Sequence, residues 1–290
     1  MDRLGANWWA RVAATLLAVS VWAGALLASE AHAAPASFTR AFTDDVWFTG
    51  GQQWVPRTVA TGAKMVLLEV DWVSVEPSAP SPGVDPAAPA DPQYSFSELD
   101  GRIKMFAGSG LSVALLVTDA PAWAEGPGGT AAERAQGAWE PNATALGQLA
   151  TALARRYSGS YPDPANPGQA LPRVKYFQAW AEANFTVHLA PQWVKQGGRL
   201  VPFAPGWYRN MLNSFYSGIK SVHGDNQVIT TGFGPYGDPA GACLSSGFGN
   251  GCRMRPAEFA RDLLCLQGPG LKLQPLSLIH ISEPTRQAEI

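Results

Sequence analysis

The chain has 290 residues, of which 46% are hydrophobic and 15% charged, a composition typical of a globular protein with one large core or two domains. Its formal net charge of −2 at pH 7 argues against binding to nucleic acid or to an anionic membrane surface. Eleven tryptophans are present, and such an excess of indole rings serves either core packing or the stacking of sugar rings.

The N-terminal residues 1–33 predict a secretory signal peptide. A short basic stretch precedes the apolar run VAATLLAVSVWAGALLA, and Ala31 and Ala33 then form the A-x-A pattern of a cleavage site. The apolar run is close to the length of an uncleaved membrane anchor. We therefore predict a secreted protein without membrane contact after cleavage, and a membrane-tethered form is the alternative.

The next part of the chain alternates between strand-like and helix-like segments. Residues 44–48 predict a short strand, and residues 54–60 predict a weak helix. The nearly continuous apolar run at residues 65–72 is typical of a parallel strand that is buried on both faces. Residues 76–93 are rich in proline and alanine and predict a loop.

A second helix and strand follow this loop. Ser95 and Glu98 stand at the spacing of a capping box and predict the start of a helix, which the glycines at 108–110 end. Residues 111–119 predict another buried strand. A long loop rich in glycine and alanine comes next.

Three further helices and two strands complete the pattern. Apolar residues at helical spacing predict helices around residues 146–157 and 208–222, and Pro256 predicts the start of another. The apolar runs at residues 174–180 and 228–233 predict strands four and five.

This alternation predicts an α/β fold built from parallel βα units with right-handed crossovers. A (β/α)8 barrel and a doubly wound sheet are the two candidate architectures. No glycine-rich dinucleotide motif follows the first strand, and large loops follow strands two to five, so we favour the barrel. Five units are present, which predicts an incomplete (β/α)8 TIM barrel over residues 34–275.

The three cysteines leave one thiol without an obvious disulfide partner. Cys243 and Cys252 flank a Gly/Ser-rich loop and could close a small ring, as thiols of exported proteins tend to do. Cys265 is then either buried and free or paired with a residue outside this sequence.

The C-terminal residues 276–290 do not fit the pattern of the chain. The segment LSLIHISEPTR is similar, letter for letter, to the translation of a transposon-end sequencing adapter. We therefore expect residues 276–290 to be a non-native tail and the natural protein to continue past about Pro275. His280 and Glu283 are accordingly left out of any predicted site.

Several segments together resemble the clan A superfamily of retaining glycoside hydrolases, whose acid and nucleophile follow strands four and seven. VKYFQAWAEAN resembles the fourth-strand motif W-N-E-P-N, and this is the specific part of the likeness. GAKMVLLEVDWVSVEP resembles the second-strand segment, and the P-x-W after LSVALLVTD resembles the third. The likeness covers residues 44 to 266.

The resemblance implies that Glu182 is the general acid/base and that Trp180 is the tryptophan before it. Such an acid has to hold its proton near neutral pH, which a partly apolar pocket favours. The retaining reaction also needs a second carboxylate about 5 Å away as nucleophile. In the family that residue ends strand seven, so we expect this chain to lack it and to be inactive. We also expect poor stability, because five βα units leave two strand edges open and the core half covered.

The sequence departs from the family motif at positions that matter for catalysis. Ala181 replaces the asparagine that binds the sugar 2-hydroxyl, Ala183 replaces the proline, and Leu67 stands where strand two commonly has an arginine. These changes leave open a second function, that of a non-catalytic carbohydrate-binding or cell-surface protein on the same fold.

Further residues are candidates for sugar contact because they follow predicted strands or flank the loops after them. Asp119 and Asp71 could bind substrate hydroxyls, or they could cap the next segment. The other candidate substrate-binding residues are Trp72, Trp123, Trp193, Trp207 and Tyr236.

Other chemistries have little support in the sequence. His188 and His223 have no spaced partners that would make a zinc site, and there is neither a G-x-S-x-G elbow nor a phosphate-binding loop. We therefore predict a monomer that acts on a carbohydrate without a metal or cofactor.

Overall fold

The computed structural model describes residues 39–43, 53–239, 253–267 and 272–273, and the fold belongs to a compact unit that runs from residue 40 to 290. The predicted signal peptide, the predicted strand at 44–48, Cys243, Cys252 and the predicted tail all lie outside the described residues. Within the described part of the chain, no helix has the length and apolarity needed to cross a bilayer.

A parallel sheet of five strands forms the centre of the described fold. Its strands are β1 (Ala41–Phe42), β2 (Met65–Asp71), β3 (Ser112–Thr118), β4 (Tyr176–Ala179) and β7 (Gln227–Ile229). They lie side by side in chain order, and every neighbouring pair is parallel. A doubly wound sheet reverses its strand order, whereas a barrel keeps it, so the α/β fold with an incomplete (β/α)8 barrel is confirmed.

Helices connect these strands, and two small hairpins are added. The helices are α1 (Trp54–Ala60), α2 (Trp72–Val75), α3 (Ser97–Gly108), α4 (Ala131–Arg134), α5 (Ala143–Arg156), α6 (Ala204–Val222) and α7 (Pro256–Leu263). The hairpins are β5 (Trp193–Gln196) with β6 (Arg199–Pro202) and β8 (Leu266–Gln267) with β9 (Lys272–Leu273).

One face of the sheet packs against the helices because the side chains of each strand alternate. On β2, Val66, Leu68 and Val70 are buried in the same core as residues of α3, α5 and α6. Glu69 and Asp71 belong to the opposite face, which is the inner face of a barrel. The polar residues of this strand therefore point away from the core.

Two predicted element boundaries are wrong. Helix α3 begins at Ser97 after Phe96 and has no side-chain cap, so Ser95 and Glu98 do not form the predicted capping box. The Ser95 N–H instead donates to the carbonyl of Val75. Strand five ends at Ile229 rather than at residue 233, because the Thr231 N–H donates to the hydroxyl of Tyr208 instead of to a neighbouring strand.

Glycines allow α5 and α6 to pack closely, and this contact predicts a stability effect. A Cβ on Gly218 would collide with the carbonyl oxygen of Gly147 and would lie 2.8 Å from the Thr151 hydroxyl. We expect Gly218→Ala to lower the free energy of unfolding by about 1–3 kcal/mol, measured by urea denaturation. Gly206, on the same helix, has open space around its Cβ position, so Gly206→Ala should be neutral or stabilising by up to about 1 kcal/mol. Equal effects of the two changes would contradict this prediction.

Candidate active site

The predicted site residues Asp71, Asp119 and Glu182 all lie at the carboxyl-terminal edge of the sheet. Asp71, the last residue of β2, is the register partner of Thr118, the last residue of β3. Asp119 comes directly after Thr118 and therefore lies at the same edge of the sheet. Glu182 comes three residues after the end of β4, which pairs with the end of β3. This edge is where barrel enzymes of many kinds carry their reactive groups.

The backbone leaves β3 and β4 through unusual conformations. Asp119 has a φ angle of 55°, Trp180 of 71° and Glu182 of 31°, all in the left-handed region that non-glycine residues rarely adopt. Such conformations cost on the order of 1–3 kcal/mol each and persist only where surrounding contacts impose them. Their grouping at one edge of the sheet supports a functional role for this edge.

Hydrogen bonds hold the segment that carries Glu182, and one of them comes from Thr231, two residues after β7. The Ala183 N–H donates to the Thr231 hydroxyl at 3.1 Å, and the Phe185 N–H donates to the Glu182 carbonyl at 2.8 Å. Both bonds hold the peptide group that follows Glu182. The position of Glu182 therefore depends on the tertiary structure as well as on β4.

Asn184 ties the same segment to the chain before α7. Its side-chain amide donates to the carbonyls of Gly234 and Met254 at 3.0 and 2.9 Å, and its oxygen accepts from the Gly234 N–H at 2.8 Å. The Asn184 side chain is fully buried. The asparagine that ends the predicted motif thus serves as a structural anchor.

The Glu182 carboxyl group is accessible and lies beside a histidine. Its side chain is 40% exposed, and its Oε2 lies 3.7 Å from Nε2 of His188. Trp180 is only 1% exposed, and its indole N–H donates to the His188 carbonyl at 2.6 Å. Trp180 therefore closes the turn that places His188 beside Glu182, and its predicted contact with sugar stays a prediction.

Asp119 sits among other acidic groups. The Thr118 hydroxyl lies 2.8 Å from an oxygen of Glu69 and 3.1 Å from an oxygen of Asp119. Burial raises the pKa of Asp119, and the negative charges of Glu69 and Asp71 add to the rise, while Thr118 and the positive charge of His188 oppose it. Asp119 and Glu182 thus share His188 as a neighbour.

Asp71 caps a helix, which is one of the two roles that its position predicted. Its Oδ1 accepts from the Val73 N–H at 3.0 Å, and its Oδ2 accepts from the Ser74 hydroxyl. These contacts start α2 directly at the edge of the sheet. The Val73 N–H also contacts the Asp119 carbonyl at 3.1 Å, which ties α2 to β3.

The candidate aromatic residues fall into different environments. Trp72 is fully buried and meets the partly buried Trp123 edge-to-face, with ring centroids 5.9 Å apart. Trp193 begins the β5–β6 hairpin, and its indole nitrogen is buried without a hydrogen-bond partner. Tyr236 is 65% exposed.

Trp207 is partly buried in the first turn of α6. Its ring stacks on Phe203, and its N–H donates to the Pro141 carbonyl at 3.0 Å. The bond ties α6 to the residues just before α5. Contact of Trp207, Trp193, Trp123, Trp72 or Tyr236 with sugar stays a prediction.

Two residues of this site were missed in the sequence. Glu69 is a single acidic residue in an otherwise apolar strand, and alternation from Asp71 places it on the same face, so the signal was present. His188 comes from a loop without regular spacing. The bond from the Trp180 indole to its carbonyl and the bond from its N–H to the Phe185 carbonyl together bring it to Glu182. The spacing of these residues in the sequence gave no signal for that contact.

Solved structures that resemble this chain are glycoside hydrolases, at low similarity. A glucosidase from Croceicoccus marinus is 14% identical, with a TM-score of 0.40, and the match covers 60% of this chain and 32% of the glucosidase. A family 39 glycoside hydrolase from Bacteroides cellulosilyticus WH2 is 16% identical, with a TM-score of 0.39 and coverage of 66% and 31%.

An endoglucanase from Thermotoga maritima is 15% identical, with a TM-score of 0.35 and coverage of 63% and 45%. The chain therefore spans less than half the length of each of these three structures. No family model and no curated protein matches the chain. At these scores the likenesses do not bear on activity, which has to be inferred from the residues.

Proposed function

We propose that the protein hydrolyses β-glycosidic bonds of an oligo- or polysaccharide with retention of configuration, and that Glu182 is the general acid/base. The observation that carries this proposal is the Glu182 carboxyl group, which is partly exposed at the carboxyl-terminal edge of the sheet, within the motif W-A-E-A-N. The backbone around it is fixed by Thr231 and Asn184, so the group is preorganised.

The reaction assigns two successive tasks to Glu182. Protonated Glu182 gives its proton to the glycosidic oxygen as the bond to the anomeric carbon breaks, while a second carboxylate attacks that carbon. The Glu182 carboxylate then takes a proton from water, whose oxygen displaces the second carboxylate and releases the sugar. Asp119 and Trp123, near the same edge, would bind the sugar.

The second carboxylate belongs to a later strand in this proposal. The resemblance places it after strand seven, and the five parallel strands in the described part of the chain include no counterpart of that strand. We therefore propose that this chain by itself does not turn over substrate. Secretion and a monomeric state belong to the same proposal.

Assays on aryl β-glycosides test the function. We expect no phenol release by this chain alone, and release by a protein that combines it with the remaining strands of the barrel. The first product seen by proton NMR should be the β-anomer, because two displacements restore the configuration. An initial α-anomer would contradict the retaining mechanism. Oligosaccharide binding without turnover by the complete protein would favour the non-catalytic function.

A further inference from the structure

Glu76 is a buried carboxyl group that joins two tryptophans near the candidate site. It is 2% exposed and ends α2, at the beginning of the proline-rich loop 77–93. Its N–H donates to the Trp72 carbonyl at 2.8 Å, and its Oε2 accepts from the Trp72 indole N–H at 2.7 Å. Its own carbonyl accepts from the Trp123 indole N–H at 3.0 Å. Glu76 thus holds both members of the Trp72–Trp123 pair.

The loop 77–93 and the residue that follows it supply the other groups that face this carboxyl. The hydroxyl of Tyr94 donates to the Pro86 carbonyl at 2.7 Å, and its proximity lowers the pKa of Glu76. Asp91 acts on Glu76 by charge repulsion. Asp91 is itself held by the N–H groups of Gln93 and Ser81 and by the Ser81 hydroxyl.

These surroundings place the charge change of Glu76 near neutral pH. Burial raises the pKa of Glu76 to about 7, and the negative charge of Asp91 adds to the rise, while hydrogen bonds from Trp72 and Tyr94 oppose it. Below that pH the neutral carboxyl leaves the Tyr94 hydroxyl on the Pro86 carbonyl, as the structure has it. Above it the Glu76 carboxylate competes with the Pro86 carbonyl for that hydroxyl, because both groups only accept hydrogen bonds.

We propose that Glu76 is a positioning residue for Trp72 and Trp123, and that its protonated form holds the loop 77–93 against this pair through Tyr94 and Pro86. The residue after Trp72 contacts the candidate site, because the Val73 N–H donates to the Asp119 carbonyl at 3.1 Å. An effect on sugar binding rests on the proposed function, whereas the coupling between Glu76 and the loop does not.

Near-ultraviolet circular dichroism of the full chain between pH 5 and pH 9 tests the coupling. We expect a change in the tryptophan signal with a midpoint at about 7. Glu76→Gln keeps an acceptor for the Trp72 N–H but has no charge to gain, so the change should disappear. Trp123→Phe should reduce its amplitude, because the ring remains but its bond to Glu76 is lost.

Two further variants separate Glu76 from other causes. Histidines also change charge in this pH range, and the His188 carbonyl contacts Trp180, so His188→Gln serves as the matched control and should leave the transition in place. Tyr94→Phe should raise the midpoint, because a hydrogen bond that favours the Glu76 carboxylate is removed. A transition that persists in Glu76→Gln, or that is absent from the parent chain, would overturn the proposal.

Thermal unfolding gives an independent readout if a spectrum is ambiguous. The pKa of Glu76 is raised from 4.5 in the unfolded chain to about 7 in the folded protein, so the folded state loses stability as pH rises through that interval. The Tm of the parent chain should therefore fall relative to that of Glu76→Gln between pH 5 and pH 8. A constant difference would also overturn the proposal.

Oligosaccharide affinity, measured over the same pH range, tests the Glu76 coupling separately from the proposed carbohydrate function. If both are correct, affinity falls across the spectral midpoint in the parent chain and stays level in Glu76→Gln. If the spectral transition follows Glu76 but no sugar binds at any pH, the coupling stands and the carbohydrate function is wrong.

Discussion

Replacing Glu182 with glutamine in the catalytically complete protein is expected to lower the hydrolysis of alkyl β-glycosides by about 10²–10⁴-fold. Glutamine has nearly the same shape but can neither give nor take the proton. For aryl glycosides whose leaving group is a very acidic phenol, the rate of the first displacement should fall much less, because that leaving group needs little protonation. The substrate dependence therefore identifies loss of a general acid rather than general damage to the site.

A matched control is available on α3. The side chain of Glu98 is 76% exposed, and its carboxylate pairs with Arg102 one turn along the helix. Glu98→Gln should keep hydrolysis within about two-fold, since surface ion pairs of this kind contribute little. An equal loss on good and poor leaving groups in Glu182→Gln would contradict the acid/base assignment. His188→Gln, combined with Glu182→Gln, shows whether the histidine acts through the same carboxyl.

Removing the carboxylate of Asp100 is expected to lower the free energy of unfolding by about 3–5 kcal/mol, because a buried charge then loses its partner. Asp100 is 5% exposed and accepts two bonds from Arg156, at 2.8 and 2.6 Å, and one from the Tyr157 hydroxyl at 2.9 Å. The Arg156 guanidinium also lies over the ring of Phe96 at 4.7 Å. Asp100→Ala would leave the Tyr157 hydroxyl without this partner and the guanidinium without an anion, with the Pro89 carbonyl at 3.4 Å as a remaining acceptor.

The neighbouring ion pair of Arg155 and Asp85 provides the comparison. It has a similar N–O distance of 2.8 Å, but its side chains are 44% and 57% exposed. Asp85→Ala should therefore cost only about 0–1 kcal/mol. Urea denaturation of both variants measures the difference. Similar losses would show that the Asp100 network does not anchor α3 to α5.

Hydrophobic patterning located β2, β3, β4, β7 and the main helices because each needs one buried side, whereas it did not predict β1 at Ala41–Phe42. The runs at Met65–Asp71 and Ser112–Thr118 are apolar on the face that meets the helices, and the spacing of α5 and α6 produces one buried stripe. The β5–β6 hairpin was missed, although Gly197 and Gly198, both with positive φ, occupy its turn. A two-glycine turn is a known hairpin signal, but the short flanking strands gave little alternation.

The sequence by itself determined the type and order of the main elements and the position of Glu182 after a strand, because these follow from local periodicity. Only the tertiary structure decided what surrounds that carboxyl group. His188 reaches Glu182 because Trp180 bonds its carbonyl, and Thr231, which follows β7, fixes the backbone beside it. The Thr231 contact joins residues that are 48 positions apart, and the buried Trp180 indole sets the turn to His188, so hydrophobic periodicity encodes neither contact.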